Sequence, residues 1–282
     1  MTETSPLNHT AGFGLREGKG YLLDNGHAGS QRLNYQYLIW KQCLGYTLHP
    51  VIRDAVGDHP RIAEITAGTG LWLLDTAHDF PNAILDGIDI NLSRLPPPAW
   101  RPSNIHRLYN WNIFDEVPAE LEERYDVIHL RLLLLTISGR DPGPVIQNVI
   151  KLLKPGGWIQ WDDLSTAHTY VEKTDEKLET KALDKIRDFV HSEGRHDWVF
   201  DLPLHLLKHG FEEKIHLMTV KEFNGQMKLD GREEEAKHLD DLIEEAYEEA
   251  GRGAGVTTPR VVCVAKKRPV PYAVREALSF SS

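Results

Sequence analysis

The sequence predicts an α/β fold, a mostly parallel sheet with helices on both faces and an N-terminal helical cap. Three observations carry that expectation. Short apolar strand candidates alternate with amphipathic helix candidates along most of the 282 residues, the chain order of a parallel sheet. Arg61 to Trp72 joins a buried strand (Ile62, Ala63, Ile65) to a glycine turn (Gly68, Gly70) and then a helix, and the turn bends tightly enough to leave room for a ligand. About twenty residues further on, Ile84 to Asp89 reads as a second strand ending in a carboxylate, the position from which a ribose hydroxyl pair is held.

Composition narrows the class. The formal net charge of −10 argues against nucleic acid or an anionic membrane as partner, because neutralising phosphates takes clustered Lys and Arg. Two cysteines, Cys43 and Cys263, imply neither a disulfide framework nor a cysteine-based metal site, so no metal is expected and the compartment reads as reducing. The apolar run Leu132 to Ile137 is far too short to span a bilayer, and no N-terminal apolar leader stands out. The expectation is a soluble cytoplasmic protein of one main domain, with residues 1–56 as arm and helical cap and residues 57–282 as the sheet domain. Helical insertions are expected near 168–210 and 230–252. Oligomeric state is left open.

The elements follow in order. Residues 1–30 have no period and read as an arm, whose Tyr21, Leu22 and Leu23 precede an Asp24-Asn25-Gly26 turn signal. From Gln31 to Leu48 the residues Leu33, Tyr37, Trp40 and Leu44 form one helical stripe, and His49 to Val56 predicts a second short helix. Leu71 to Ala77 is the helix after the glycine turn. Asn91 to Asn104 carries Pro96, Pro97, Pro98 and Pro102, which limits the next helix to a single turn. Third, fourth and fifth strands are expected at Ile105 to Tyr109, Asp126 to Leu130 and Trp158 to Leu164, with a helix at Pro144 to Leu153 and a turn at Lys154 to Gly157. Thr174 to Ser192 and Leu202 to His209 read as helices, Glu213 to Lys221 and Arg260 to Lys266 as the last two strands, and Arg232 to Ala250 as a helix with an acidic solvated face.

The ligand follows from what the turn lacks. A dinucleotide site wants a third small residue where Leu73 stands, and Glu64 just before the turn repels a diphosphate while suiting an ammonium. S-adenosylmethionine offers an ammonium and a ribose without a phosphate. A nicotinamide dehydrogenase is the disfavoured alternative.

Glu64-x-x-x-Gly68-x-Gly70 with Asp89 resembles motif I and the second-strand acid of class I S-adenosylmethionine-dependent methyltransferases. Further segments extend the likeness from Arg32 to Asp163: Arg32-Leu33-x-x-Gln36, Leu48-His49-Pro50, Val117-Pro118-x-x-Leu121, Tyr125-Asp126-Val127-Ile128-His129-Leu130-Arg131, and Leu153-Lys154-Pro155-Gly156-Gly157-Trp158-Ile159-Gln160-Trp161-Asp162. Together they resemble fungal class I methyltransferases of secondary metabolism, including the velvet-complex regulator-like enzymes. That resemblance implies a Rossmann-like seven-stranded sheet, S-adenosylmethionine as cofactor and transfer of its methyl group to a small-molecule acceptor. A binding protein that regulates without methylating is the alternative from another class.

On this reading the cofactor lies among Gln36, Glu64, Ala67, Gly68, Gly70, Asp89, Ile90, Trp111, Asn112, Ile113, His129 and Arg131. Ala67 stands where the first glycine of the turn is common, and Asn112 where Asp is more usual. Trp111, Asn112 and Ile113 are expected at the adenine, and Arg131 at an acidic substrate or the cofactor carboxylate. The candidate bases are His129 and His168, since imidazole titrates near neutral pH, with Asp162 or Asp163 to orient them. Trp161, Tyr170 and Trp198 are candidates for an acceptor pocket and equally for the core.

Overall fold

In the computed structural model, residues 27–137, 141–191, 194–212, 241–242 and 245–269 are described, together with the backbone of residues 216–223. The arm with its Tyr21 to Gly26 patch, and most of the acidic helix, lie outside them. Five strands run parallel: β1 (Arg61–Ile65), β2 (Ile84–Asp89), β3 (Ile105–Asn110), β4 (Tyr125–Arg131) and β5 (Leu153–Leu164). The short β6 (Tyr170–Lys173), β7 (His216–Phe223) and β8 (Ala254–Lys266) complete the sheet, and β8 runs antiparallel to β5, β6 and β7. The strand order is β3-β2-β1-β4-β5-β8, with β6 and β7 both paired to β8. This is the expected mixed Rossmann-like sheet of seven strands, and β6 is an eighth that the sequence reading missed. Tyr170–Lys173 has no long apolar run and pairs only with the start of β8, which extends to Ala254 rather than beginning at Arg260.

Helices cover both faces. α1 (His27–Leu44), α2 (Pro50–Arg53) and α3 (Leu71–Asp79) bury Tyr37, Ile52 and Trp72 against Ile62, Val127 and Val264. α4 (Gly143–Leu152) and α6 (Leu202–Lys208) bury Val145, Val149 and Leu206 on the opposite face, against Ile65, Ile128 and Trp161. α5 (Lys181–His191) packs Ala182 and Leu183 with Leu242 and Ala246 over Ala254 and Val256, forming a satellite core. Glu249 fastens that unit, its two oxygens accepting from the Ala182 and Leu183 N–H groups at the start of α5.

Boundaries shift where local chemistry outweighs periodicity. α1 stops at Leu44, short of the Leu48 that the stripe suggests, because Gly45, at φ +73°, takes the left-handed conformation that ends helices. α5 begins at Lys181, seven residues later than the stripe suggests. The expected Lys154–Gly157 turn lies inside β5, as a register irregularity between the Tyr125–Leu153 and Val127–Trp158 pairs.

Register aligns the polar residues. Glu64 pairs with Gly87 and His129, His129 with Gln160, and Arg131 with Asp162. Paired residues in a sheet project to the same face. Glu64, His129 and Gln160 therefore form one row beneath α1 and α3, with Arg131 and Asp162 in the next.

On β2, Asp86 is a buried hub. It accepts from the Tyr125 hydroxyl at 3.1 Å and the Arg124 Nε at 3.4 Å, and the Arg61 and His106 side chains each approach to 3.6 Å. Removing a buried carboxylate from two guanidinium groups and a hydroxyl leaves them uncompensated. Asp86→Ala is expected to lower the unfolding free energy by about 2–4 kcal/mol, measured by urea denaturation; a loss under about 0.5 kcal/mol would mean that the hub is as weak as a surface ion pair.

Candidate functional site

Two strained residues mark the ligand edge of the sheet. Thr66 follows β1 at φ +59° and Leu132 follows β4 at φ +56°, so adjacent strands each leave the sheet through a left-handed residue. A β-branched residue in that conformation is a genuine outlier, and such strain gathers at functional sites. Gly68 and Gly70, at φ +59° and +73°, continue the turn, so its left-handed positions are 66, 68 and 70. The position that wants glycine is thus Thr66 and not Ala67. Counting by twos back from Gly70 would have found it.

The two glycines differ in what they make room for. A Cβ on Gly68 would touch Leu33 of α1 at 3.5 Å, an ordinary contact. A Cβ on Gly70 would lie 2.6 Å from the Leu95 Cδ2, so the space beside Gly70 is filled by the chain itself and not kept for a ligand.

Asp89 holds this turn. Its Oδ2 accepts from the Gly68 N–H and its Oδ1 from the Asn91 N–H, both at 2.8 Å, with the Arg94 Nη2 at 3.7 Å. The carboxylate is nearly buried, and each oxygen keeps a second lone pair for a hydroxyl.

Between this edge and α1 lies a buried cluster of charges. The His129 Nε2 stands 3.2 Å from the Asp162 Oδ2, and its Nδ1 stands 3.9 Å from the Glu64 Oε1. The ring stacks on Trp72, 3.9 Å between centroids and 9° from parallel. The Arg131 guanidinium lies over the Tyr37 ring at 4.8 Å and that of Arg260 over Trp40 at 5.0 Å, so α1 covers both cations with aromatic faces. Tyr37 is anchored in turn by its hydroxyl donating to Asp75, which also pairs with Lys41.

Burial dominates the electrostatics. It pushes the Glu64 carboxyl up to about 8, against the pull of Arg131, and pulls His129 below the usual imidazole range despite the hydrogen bond to Asp162. His129 is therefore neutral at pH 7. Several polar atoms of the cluster have no protein partner: the Glu64 Oε2, the Arg131 Nη1, the Asp162 Oδ1 and, on α1, the Asn34 Oδ1 and Trp40 Nε1. Buried polar atoms are almost always satisfied, so orphans gathered in one place point to a ligand or water between them. The Leu73 N–H, in the first turn of α3, faces the Glu64 carboxylate. A helix N-terminus that a carboxylate already occupies does not offer itself to a phosphate.

Other expected residues fall in different places. Gln36 receives a hydrogen bond from Arg32 along α1, at 3.1 Å. Ala67 is buried, closing the turn through its carbonyl to the Gly70 N–H. Ile90 is exposed, its carbonyl accepting from Asn110 at 2.8 Å. Trp111 and Ile113 belong to the core, the Trp111 Nε1 donating to the Glu116 carbonyl, and between them Asn112 caps the Phe114 N–H. His168 is exposed beside Phe200 and bonds Ser165, apart from the His129 cluster. Asp163 projects to the face opposite Asp162 and does not orient His129. Trp161 and Trp198 are core, 5.7 Å apart, and Tyr170 is on β6.

Gln160, which the sequence reading left without a role, joins two of the resembling segments. Its Oε1 accepts from the His49 N–H at 2.8 Å, while its Nε2 and the Trp72 Nε1 both donate to the Thr47 carbonyl. The link from α1 to α2 is thereby fixed over the cluster. A cleft of about 400 Å³ lined by Lys41, Tyr46, Arg53 and Asp79 lies at the other end of α3, away from this edge.

A family model described as a methyltransferase domain matches residues 63–159, the stretch from β1 to β5 that holds the glycine turn, Asp89, His129 and Arg131. Residues 63–159 are similar to a methyltransferase domain. The chain is 36% identical over 154 residues to methyltransferase grgD of Penicillium sp, which covers 51% of this chain and 52% of that protein. It is 37% identical over 128 residues to methyltransferase str2 of Strobilurus tenacellus, covering 45% and 42%, and 28% identical over 157 residues to N-methyltransferase gliN of Aspergillus fumigatus, covering 55% and 54%. The matched region of this chain spans about half the length of these relatives. Among the described residues, no group of three or more His, Cys, Asp or Glu is placed to hold a metal ion, and no helix is long and apolar enough to cross a membrane.

Two predictions follow from the domain's geometry. Thr66→Gly is expected to raise stability by about 1 kcal/mol, because glycine takes φ +59° without the steric cost that threonine bears; Ala67→Gly serves as the control, and a thermal melt showing no gain for Thr66→Gly would contradict the strain. Glu64, with its folded pKa raised to about 8 from a usual value near 4.5, holds a proton in the folded state that it loses on unfolding. Its contribution to stability is full below pH 4.5 and is lost as pH rises towards and through 8. Urea melts from pH 5 to 9 are expected to show that fall and Glu64→Gln to flatten it; equal slopes in the two proteins would place the proton elsewhere.

Proposed function

We propose that the chain is an S-adenosylmethionine-dependent methyltransferase acting on a small-molecule acceptor. The observation that carries the reading is the buried Glu64 beside the half-buried Arg131, each with a buried polar atom that has no protein partner, at the strand ends beside Asp89. An acceptor oxygen and a guanidinium N–H side by side complement the ammonium and carboxylate of an amino-acid group. Asp89, with spare lone pairs, suits two ribose hydroxyls. Nothing in this set suits a diphosphate, since the Glu64 carboxyl already occupies the start of α3. The relatives named methyltransferases support the same reading.

When bound, S-adenosylmethionine supplies a methyl group already activated by its sulfonium, so the protein's own work is alignment, exclusion of water and, for some acceptors, proton removal. Glu64 and Arg131 would hold the amino-acid end, Asp89 and the Gly68 backbone the ribose side, and Ile90 and Asn112 the adenine edge, with Gln36 above on α1. Ala67, Gly70, Trp111 and Ile113 would act through the backbone shape that they maintain. His129 fits the role of a positioning residue better than that of a base: it is fully buried, neutral, and donates from Nε2 to Asp162. That bond and the Gln160 amide at 3.3 Å would leave the Asp162 Oδ1 free to meet the acceptor or take its proton. His168 remains a second candidate, on the exposed side near Phe200. Residues 1–56 would serve as a cap on the domain, and the compartment would be the cytoplasm.

The test is direct. Purified protein is expected to bind S-adenosylhomocysteine and to transfer a labelled methyl group from S-adenosylmethionine to an organic-soluble acceptor in a fungal extract. Asp89→Ala is expected to weaken S-adenosylhomocysteine binding by about 1–3 kcal/mol, or about 5- to 150-fold. Binding of NADH in place of the homocysteine compound would overturn the proposal.

A further inference from the structure

We infer that Asp163 is a positioning residue that sets the backbone leaving β4 at the ligand edge, an inference that rests on reading that edge as a cofactor site. Asp163 is fully buried on the face of β5 opposite Asp162. Its Oδ2 accepts from the Leu133 N–H at 3.0 Å and the Trp161 Nε1 at 3.2 Å, and its Oδ1 from the Leu164 N–H at 3.0 Å. Leu133 follows the left-handed Leu132, whose own N–H donates to the Asp162 carbonyl at 2.9 Å. Consecutive residues of β5 thus grip consecutive residues of the loop. Beyond them the Thr136 and Ile137 N–H groups turn back onto the Leu133 carbonyl at 2.8 and 2.9 Å.

An aspartate is what this place requires. Four N–H donors converge on it, those of Leu133, Leu134 and Leu164 and the Trp161 indole, and an ionised carboxylate alone accepts them all without presenting a donor of its own. An amide would turn an NH₂ against one of them. The charge is held there at a cost, since burial pushes the carboxyl up to about 7 while the surrounding N–H groups pull it down. What the clamp holds is a conformation that leucine resists. Leu132 directly follows Arg131, and β4 lies beside β1, whose exit residue Thr66 is also left-handed. The direction of the chain after Arg131 therefore fixes how the guanidinium stands against Glu64 and the glycine turn. The Trp161 ring that donates to Asp163 packs against Trp198, which ties the clamp to the core.

The experiment uses the full chain and S-adenosylhomocysteine as the calorimetric probe, with Asp163→Asn, Asp163→Ser and each of these combined with Leu132→Gly. Each single variant is expected to lose affinity by about tenfold or more while keeping its far-ultraviolet circular dichroism. Leu132→Gly is expected to restore most of that loss, because glycine takes the left-handed conformation without a clamp. Unchanged affinity in Asp163→Asn overturns the inference, and so does a loss that Leu132→Gly leaves uncorrected, which would make Asp163 an ordinary packing residue. Should neither single variant fold, the double variants are expected to, and their failure counts against the inference. Absence of binding by the unmodified chain overturns the cofactor reading itself, and the inference with it.

Discussion

The arrangement of this molecule depends on burying charge at the point where β1, β4 and β5 end. Glu64 and Asp162 are taken out of water there, with His129 between the two carboxyl groups and the half-buried Arg131 beside them. Such groups are tolerated only when paired and covered, since desolvation of each costs several kcal/mol. Cover comes from α1, which lays Tyr37 and Trp40 over Arg131 and Arg260, and from α3, which lays Trp72 on His129. The α1–α2 link is pinned by Gln160 to complete the roof. The helical cap and the ligand edge are in this sense one construction.

Strain and satisfaction are distributed unevenly along that edge. Thr66 and Leu132 occupy costly backbone conformations, while Asp89 and Asp163 spend their carboxylates on the N–H groups of the very turns involved. Each left-handed exit thus has a carboxylate holding the residues just beyond it. The orphaned atoms lie inside the same space, at Glu64, Arg131 and Asp162. A site that holds its backbone rigidly and leaves a few buried polar atoms unmatched is pre-organised for a polar ligand.

A good part of this was legible in the chain. The glycine turn, the second-strand Asp89, the strand-end His129 and Arg131 and the proline-limited segment all stand where their residue types require, because each is a local demand of backbone geometry or burial. Glu64 was informative for the same reason, a carboxylate inside an otherwise apolar strand. The assignments that shifted depended on neighbours far along the chain. Trp111 and Ile113 went to the core because α4 packs there, and the space beside Gly70 belongs to Leu95. The start of β8 and its short partner β6 were missed because pairing, and not apolar period, defines them.

The sequence by itself determined the α/β class, the order of the five parallel strands and the helices between them, and the charge and hydrogen-bonding types offered at the sheet edge, since period, glycine spacing and residue chemistry are properties of short segments. Only the tertiary structure decided that His129 is sealed between carboxylates, that Asp163 grips a different loop from Asp162, and that Thr66 bears the left-handed strain. Those outcomes depend on sheet register and on the face to which each side chain projects. A shift of one residue reverses both, and no short segment of sequence fixes them.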